Sequence, residues 1–174
     1  DVSEEPYDVA IHIGRIRNQN LPVRRLAVLS RGLFAAPQYC AQKGMPQIAT
    51  DLLAHDCIAI EAQINDELWR VANSAGDLVA VTPRMTTTDI ILAHEMALAG
   101  AGIAMLTHVL SEQDVRAGRL VPVLPKHVLP PVAISAVYLE RRYLPLRIRA
   151  FIDLLAEVMA EAAPPAASTV PTRE

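Results

Sequence analysis

Residues 83–106, PRMTTTDIILAHEMALAGAGIAML, constrain the fold more than any other stretch of the chain. Their order is a turn, a hydroxyl-rich helix start, an apolar helix, a glycine stop and a buried strand. Thr86, Thr87, Thr88 and Asp89 crowd the helix start, and Thr86 with Asp89 three residues later has the spacing of a capping box. Between residues 90 and 99 only His94 and Glu95 are polar, so the helix is expected to be buried on most of its circumference. Gly100 ends it, and Gly102 opens the close-packed run Ile103, Ala104, Met105 and Leu106. The start of such a helix presents unpaired backbone N–H groups and a positive dipole end. Three threonines add hydroxyls that donate or accept. Two readings stand side by side: the threonines cap the helix, their ordinary role, or they hold a small anion such as a carboxylate.

The chain has 174 residues, which suits one domain of ordinary size or two small lobes. Its hydrophobic content of 52% and positive mean hydropathy allow a sizeable core. No apolar run reaches the length of a membrane span. Sixteen Lys plus Arg against 19 Asp plus Glu leave a net charge of −3, which argues against a nucleic-acid surface on this chain. Two cysteines, Cys40 and Cys57, make no disulfide framework and read as buried, inert thiols in a reducing compartment. Asp1 in place of Met and the acidic residues 1–6 read as the trailing end of an element cut away; nothing there resembles a signal peptide.

Residues 7–13 alternate, with Tyr7, Val9, Ile11 and Ile13 on one face and Asp8, Ala10 and His12 on the other, so a strand is expected, ended by Gly14. A polar loop follows over 15–20, then a strand over 22–29. Arg31-Gly32 reads as a break before a short buried strand over 33–36. Pro37 is placed as the first residue of a helix ended by Gly44. Thr50-Asp51 opens a short helix over 52–55. Strands are expected over 57–60, 67–72 and 78–81, the last two joined by a hairpin loop at 73–77. Beyond the central stretch come a helix over 111–117, an extended edge segment over 119–124 marked by Pro122, and a strand over 132–139. A last helix from Pro145 places Ile148, Phe151, Ile152, Leu155, Val158 and Met159 on one face. Residues 163–174 are expected to be disordered. Strands alternating with helices predict an α/β fold with a mixed sheet.

Most catalytic motifs fail on inspection. His94-Glu95 begins like a zinc-protease HExxH, but residue 98 is Leu. Gly100-Ala101-Gly102 lacks the third glycine of a dinucleotide fingerprint, because residue 105 is Met. There is no Walker loop and no GxSxG elbow. Cys40 with His55 has nothing to orient the pair as a nucleophile. Trp69 and Tyr138 read as packing residues. No metal site, cofactor site or bond-making chemistry stands out, so an enzyme is not expected, and binding is the better-supported class.

Six pieces, in order, carry a resemblance: DVAIHIGRI, VRRLAVLSRGLFAAPQYCAQKGMP, LLAHDCI, TTTDIILAHEMALAGAGIAML, GRLVPVL and YLERRYLPLRIRAFIDLLAE. Together they resemble the C-terminal effector-binding domain of LysR-type transcriptional regulators over residues 7–160, with Thr107 where the family usually has Pro. The resemblance implies a two-lobed, type 2 periplasmic-binding-protein-like α/β fold with a mixed sheet in each lobe. Lobe one would be residues 1–33 plus 135–162, in part, because the family's first strand and helix would precede Asp1. Lobe two would be residues 34–134.

The resemblance further implies a small-molecule effector, anionic or neutral, in the cleft between lobes. Three groups would line it: Ile13, Gly14 and Arg15; Phe34 and Ala35; and Thr86, Thr87, Thr88 and Asp89. Arg15 is either a counter-charge or a solvated loop arginine. No cofactor and no metal are implied. A homodimer is expected, a tetramer at full length, with DNA bound only through a winged helix-turn-helix domain that this chain lacks. The setting is bacterial and cytoplasmic, without a membrane. The alternative is a free-standing periplasmic-type solute-binding protein.

Overall fold

A computed structural model describes residues 8–16, 21–61, 69–72, 78–127, 129–138 and 145–162. The expected tail over 163–174, the acidic start, the hairpin loop over 73–77 and the polar stretch over 139–144 lie outside the described residues. The chain divides into two compact units, residues 1–29 with 131–174, and residues 30–130.

The first unit holds β1 (Val9–Ile13), β2 (Val23–Leu29), β10 (Val132–Tyr138) and α4 (Leu146–Ala162). β10 lies between β1 and β2 and pairs antiparallel with both. α4 covers the sheet through Ile148 and Ile152, which meet Leu26, Ile134 and Ala136. Strict alternation along β2 fails because the β2–β10 register slips between Ile134 and Ser135. Such a bulge places two neighbours on one side, and Leu26 and Ala27 both join the helix-facing cluster. Two expected apolar faces are wider than what covers them: Phe151 and Val158 of α4, and Ile11 and Ile13 of β1, are exposed. Periodicity tells which residues share a face; it does not tell how much of that face is covered.

The second unit is built on a five-stranded sheet of order β7-β4-β8-β3-β9. Its strands are β3 (Arg31–Ala35), β4 (Cys57–Ile60), β7 (Met85–Thr87), β8 (Ile103–Thr107) and β9 (Val121–Val123). β4 runs parallel to β7 and β8, while β3 runs antiparallel to β8 and β9, so this sheet is mixed. A sheet covered on both faces calls for unbroken apolar runs rather than alternation, and IAML in β8 and CIAI in β4 are such runs. Leu33, Ala35, Cys57, Ala59, Ile103 and Met105 face one layer with Tyr39, Leu52 and Trp69. Phe34, Ile58, Ala104 and Leu106 face the other with Ala93 and Ala97. The first layer contains α1 (Pro37–Lys43), a 3-10 helix (Ala49–Ala54) and the antiparallel pair β5 (Arg70–Ala72) and β6 (Leu78–Ala80). The second contains α2 (Ile90–Leu98) and α3 (His108–Arg116).

Several local expectations are corrected. Arg31-Gly32 is the start of β3, not a break, and Arg31 is buried with its Nε–H donating to the Pro130 carbonyl at 2.7 Å. α3 begins three residues earlier than expected, because the Thr107 hydroxyl accepts from Leu110 N–H at 3.4 Å and caps it. The departure at Thr107 thus has a local job. α2 is not buried on most of its circumference: Ala93, His94 and Ala97 face the sheet, while Ile91 and Leu92 are about half exposed, 52% and 51%. The helix is covered by the sheet and by α3, and its remaining side stays open however apolar its sequence.

Two contacts hold the layers in register. Ile103 N–H donates to the Asp56 carbonyl at 2.8 Å, and a Cβ on Gly102 would stand 2.1 Å from that oxygen. In the helical layer the His94 ring and the buried Asp114 carboxylate lie 2.8 Å apart, joining α2 to α3. Arg119 Nε–H donates to the other Asp114 oxygen at 2.6 Å. Burial pushes the Asp114 carboxyl up, but the Arg119 guanidinium and the His94 ring outweigh that and hold it below the usual carboxylate range. Among the cysteines, burial pushes the Cys57 thiol up to about 12 and raises that of Cys40, consistent with inert thiols.

Gly102→Ala is expected to lower unfolding stability by about 1–3 kcal/mol, since backbone rather than a flexible side chain must give way. Urea unfolding checks this, and an unchanged midpoint would mean that β4 and β8 approach less closely. Asp114→Asn is expected to cost roughly 1–3 kcal/mol at neutral pH. A carboxyl whose folded pKa is depressed contributes stability above its unfolded value, near 4, and loses it as pH falls through the folded value. The gap between wild type and variant should therefore shrink between neutral pH and pH about 3. A gap constant with pH rules out the charge of Asp114 as its source.

Candidate functional site

In open α/β sheets ligands gather outside the carboxyl ends of the parallel strands. In the second unit these are the ends of β4, β7 and β8, at Ile60, Thr87 and Thr107. The antiparallel strand β3 contributes its beginning, with Arg31 paired to Thr107 and the Ser30 carbonyl accepting from His108 N–H at 3.0 Å. Two helices start at this edge, α2 after β7 and α3 after β8. β7 and β8 are separated by β4, so their carboxyl ends stand about 10 Å apart, twice the interstrand spacing. That separation is the size of a small metabolite.

The α2 start is arranged differently from the expected capping box. Thr86 and Thr87 belong to β7, and the cap is Asp89, whose Oδ1 accepts from Ile91 N–H at 2.7 Å. The Thr87 hydroxyl accepts from Asp89 N–H at 3.1 Å. Thr87 Oγ1 and Asp89 Oδ1 thus accept within the local turn, which leaves the Thr87 O–H, the second Asp89 oxygen and the exposed Thr88 hydroxyl to face outward. A carboxylate already sits at the positive end of the α2 dipole, in the place a ligand anion would take.

The α3 start has a neutral cap, Thr107, and basic neighbours. His108 stands edge-on to Phe34, with ring centroids 5.5 Å apart and planes at 84°. A Cβ on Gly32 would meet the Phe34 ring at 2.9 Å, so this ring pair needs glycine beside it. The edge thus has a carboxylate at the α2 start, Asp89, and an imidazole at the α3 start, His108, while the buried Arg31 guanidinium donates to the Pro130 carbonyl.

Of the residues expected to bind a ligand, Thr86, Thr87, Thr88 and Asp89 are brought together at one end of this edge. Phe34 and Ala35 lie in β3 with side chains buried on opposite faces of the sheet. They shape the core, and any direct contact from them would be through backbone. Ile13, Gly14 and Arg15 belong to the first unit: Gly14 adopts φ +100° and donates its N–H to the Ala133 carbonyl at 2.8 Å, and Arg15 is exposed with its carbonyl 2.9 Å from the His12 ring. Sequence reading missed Arg31 and His108. An arginine and a histidine flanking apolar strand residues signal strand ends, and only the antiparallel pairing of β3 with β8 makes them neighbours. No cluster of three or more metal-ligating side chains occurs among the described residues, and no helix among them is long and apolar enough to cross a membrane.

The LysR substrate binding domain family model matches residues 1–160. The HTH-type transcriptional regulator CrgA of Neisseria meningitidis serogroup C (strain 8013) is 29% identical over 155 residues, covering 88% of this chain and 52% of that protein. The HTH-type transcriptional regulator DmlR of Escherichia coli (strain K12) is 31% identical over 163 residues, covering 92% and 53%. The solved regulatory domain of CrgA, from Neisseria meningitidis, superposes with a TM-score of 0.80 at 27% identity, covering 91% of this chain and 78% of that one. The chain spans about half the length of the curated relatives it matches. The two-unit α/β architecture, the ordered sequence pieces and these likenesses agree, and the chain belongs to the LysR substrate-binding domain family, as an effector-binding regulatory domain of LysR-type transcriptional regulators.

Proposed function

We propose that this domain senses a small polar metabolite at the carboxyl edge of the second unit's sheet and passes the signal to a winged helix-turn-helix domain elsewhere in the full protein. The observation that carries the reading is the edge itself, where two helices follow strand ends about 10 Å apart, with the Thr88 hydroxyl and the Asp89 cap at one and His108 at the other. Thr87 and Thr88 supply hydroxyls at one end. Asp89 repels an anion there and accepts from a ligand hydroxyl, so a ligand carboxylate turns toward His108. Ile13, Gly14 and Arg15 remain the contribution proposed for the first lobe, taken as residues 1–33 with 135–162, against residues 34–134 for the second.

A ligand that prefers one arrangement of the lobes biases the population toward it. The working form is a homodimer, tetrameric at full length, acting on DNA in the bacterial cytoplasm. Similarity to the transcriptional regulators CrgA and DmlR supports this reading over a free-standing solute-binding protein.

A thermal-shift screen against small carboxylates, hydroxy acids and neutral metabolites checks it. A ligand at about a hundred times its dissociation constant stabilises the folded state by roughly 2.7 kcal/mol, a shift of a few degrees. A hydroxy acid should give this shift, and Thr88→Val should remove most of it. A shift untouched by Thr88→Val would move the site away from the α2 start.

A further inference from the structure

Gly32 stands inside β3 without a positive φ to require it; the positive values belong to Gly14, Gly44, Gly100 and Gly118. Glycine within a strand costs conformational entropy and leaves nothing to pack, so its presence needs another reason. That reason lies in its neighbours. A Cβ built on Gly32 would stand 2.9 Å from Cε2 and Cζ of Phe34 and 3.1 Å from Cε1 of His108, the three nearest atoms. Gly102 is the contrast. There the Cβ would meet the Asp56 carbonyl, which is backbone, and glycine serves the sheet. At Gly32 it would meet only the ends of two side chains.

Those two side chains form one unit. Phe34 lies two residues along β3 on the same face as Gly32, and it is 2% exposed within the helical layer. His108 opens α3 and is exposed. Their rings meet with centroids 5.5 Å apart and planes at 84°, the edge-to-face arrangement that aromatic rings favour. The His108 backbone is tied as well, by its N–H donating to the Ser30 carbonyl at 3.0 Å. Gly32, Phe34 and His108 line one cleft of about 60 Å³, too small for a metabolite. The imidazole is therefore walled on its inner side by a buried ring and a strand, and open on its outer side.

We propose that Gly32 and Phe34 are positioning residues of the effector site: they hold the His108 imidazole in one orientation, set to donate to a ligand carboxylate. Neither side chain touches the ligand. The proposal rests on the reading that the ligand carboxylate meets His108. Phe34 supplies the ring against which the imidazole stands, and Gly32 supplies the space that a Cβ would take from both rings. A ring fixed before binding loses less rotamer freedom when the ligand arrives. Its hydrogen bond is stronger to a charged acceptor than to a neutral one, so the site prefers an acid over the matching amide.

NMR of the 174-residue chain, labelled at its histidine rings, tests this with glycolate and glycolamide as probes. In the wild type the His108 ring should give one narrow set of signals that glycolate shifts saturably, with glycolamide binding about tenfold more weakly. Gly32→Ala should displace or broaden the His108 ring signals while those of His12 and His55 stay in place. It should weaken glycolate by about tenfold and leave glycolamide within about twofold, which erases the preference for the acid. Its melting temperature should stay within about 4 °C of wild type, because alanine suits a strand better than glycine and offsets the moved rings. A merely structural glycine would change the melt and keep the acid preference. Phe34→Leu keeps an apolar side chain but removes the ring, and it should act on His108 in the same way; it carries the test if Gly32→Ala fails to fold. A His108 ring unmoved in the variants overturns the positioning. A moved ring with the acid preference intact overturns its part in recognition. Failure of the effector reading looks different: glycolate then shifts no His108 signal in the wild type, and the proposal falls with that reading.

Discussion

The structure of the larger unit depends on one close approach. The Asp56 carbonyl accepts from Ile103 N–H, and Gly102 leaves room for the oxygen where any Cβ would collide with it. This contact aligns the beginnings of β4 and β8, and their parallel pairing then brings their carboxyl ends to the same edge. β7 joins on the other side of β4 in register, so Ile60 and Thr87 end together. The edge where β4, β7 and β8 end together is a consequence of backbone alignment some way below it.

Around that alignment the sheet is sealed on both faces. Successive residues of β4 and β8 enter opposite cores, and each apolar side chain removed from water contributes about 1.5–3 kcal/mol. Small residues are used where helices lie close: Ala93 and Ala97 of α2 meet Ala104 of β8. The polar cluster of His94, Asp114 and Arg119 then ties α2 to α3 and to the turn before β9. Both helices start at the edge, so their relative placement sets the distance between the two caps. Asp89 and Thr107 give those caps different charges, which makes the edge electrostatically asymmetric.

The elements themselves were largely legible in the sequence. Pro37 before a helix and Gly44 after it, the IAML run after Gly102, and the helix after Pro145 each mark a local preference that the fold keeps. So was the family, because six short pieces in fixed order constrain more than any of them alone. Residues that turned on partners distant in the chain were not legible. Arg31 with Gly32 read as a break between strands because its acceptor, the Pro130 carbonyl, is 99 residues away. The β2 bulge depends on the register of β10. The Thr86–Asp89 cluster read as one helix cap, but pairing with β4 draws Thr86 and Thr87 into a strand and leaves the cap to Asp89.

By itself the sequence determined which segments are strands and helices, where glycine and proline stop them, and to which family the chain belongs, since these follow from local backbone preference and from residue order. Tertiary structure alone decided which apolar faces are covered, which polar side chains find partners, and that Thr88, His108 and Arg31 come to one edge while His127 Nδ1 is left without a partner among the described residues. Coverage and pairing are properties of segments far apart in sequence, and only packing brings them within reach of one another.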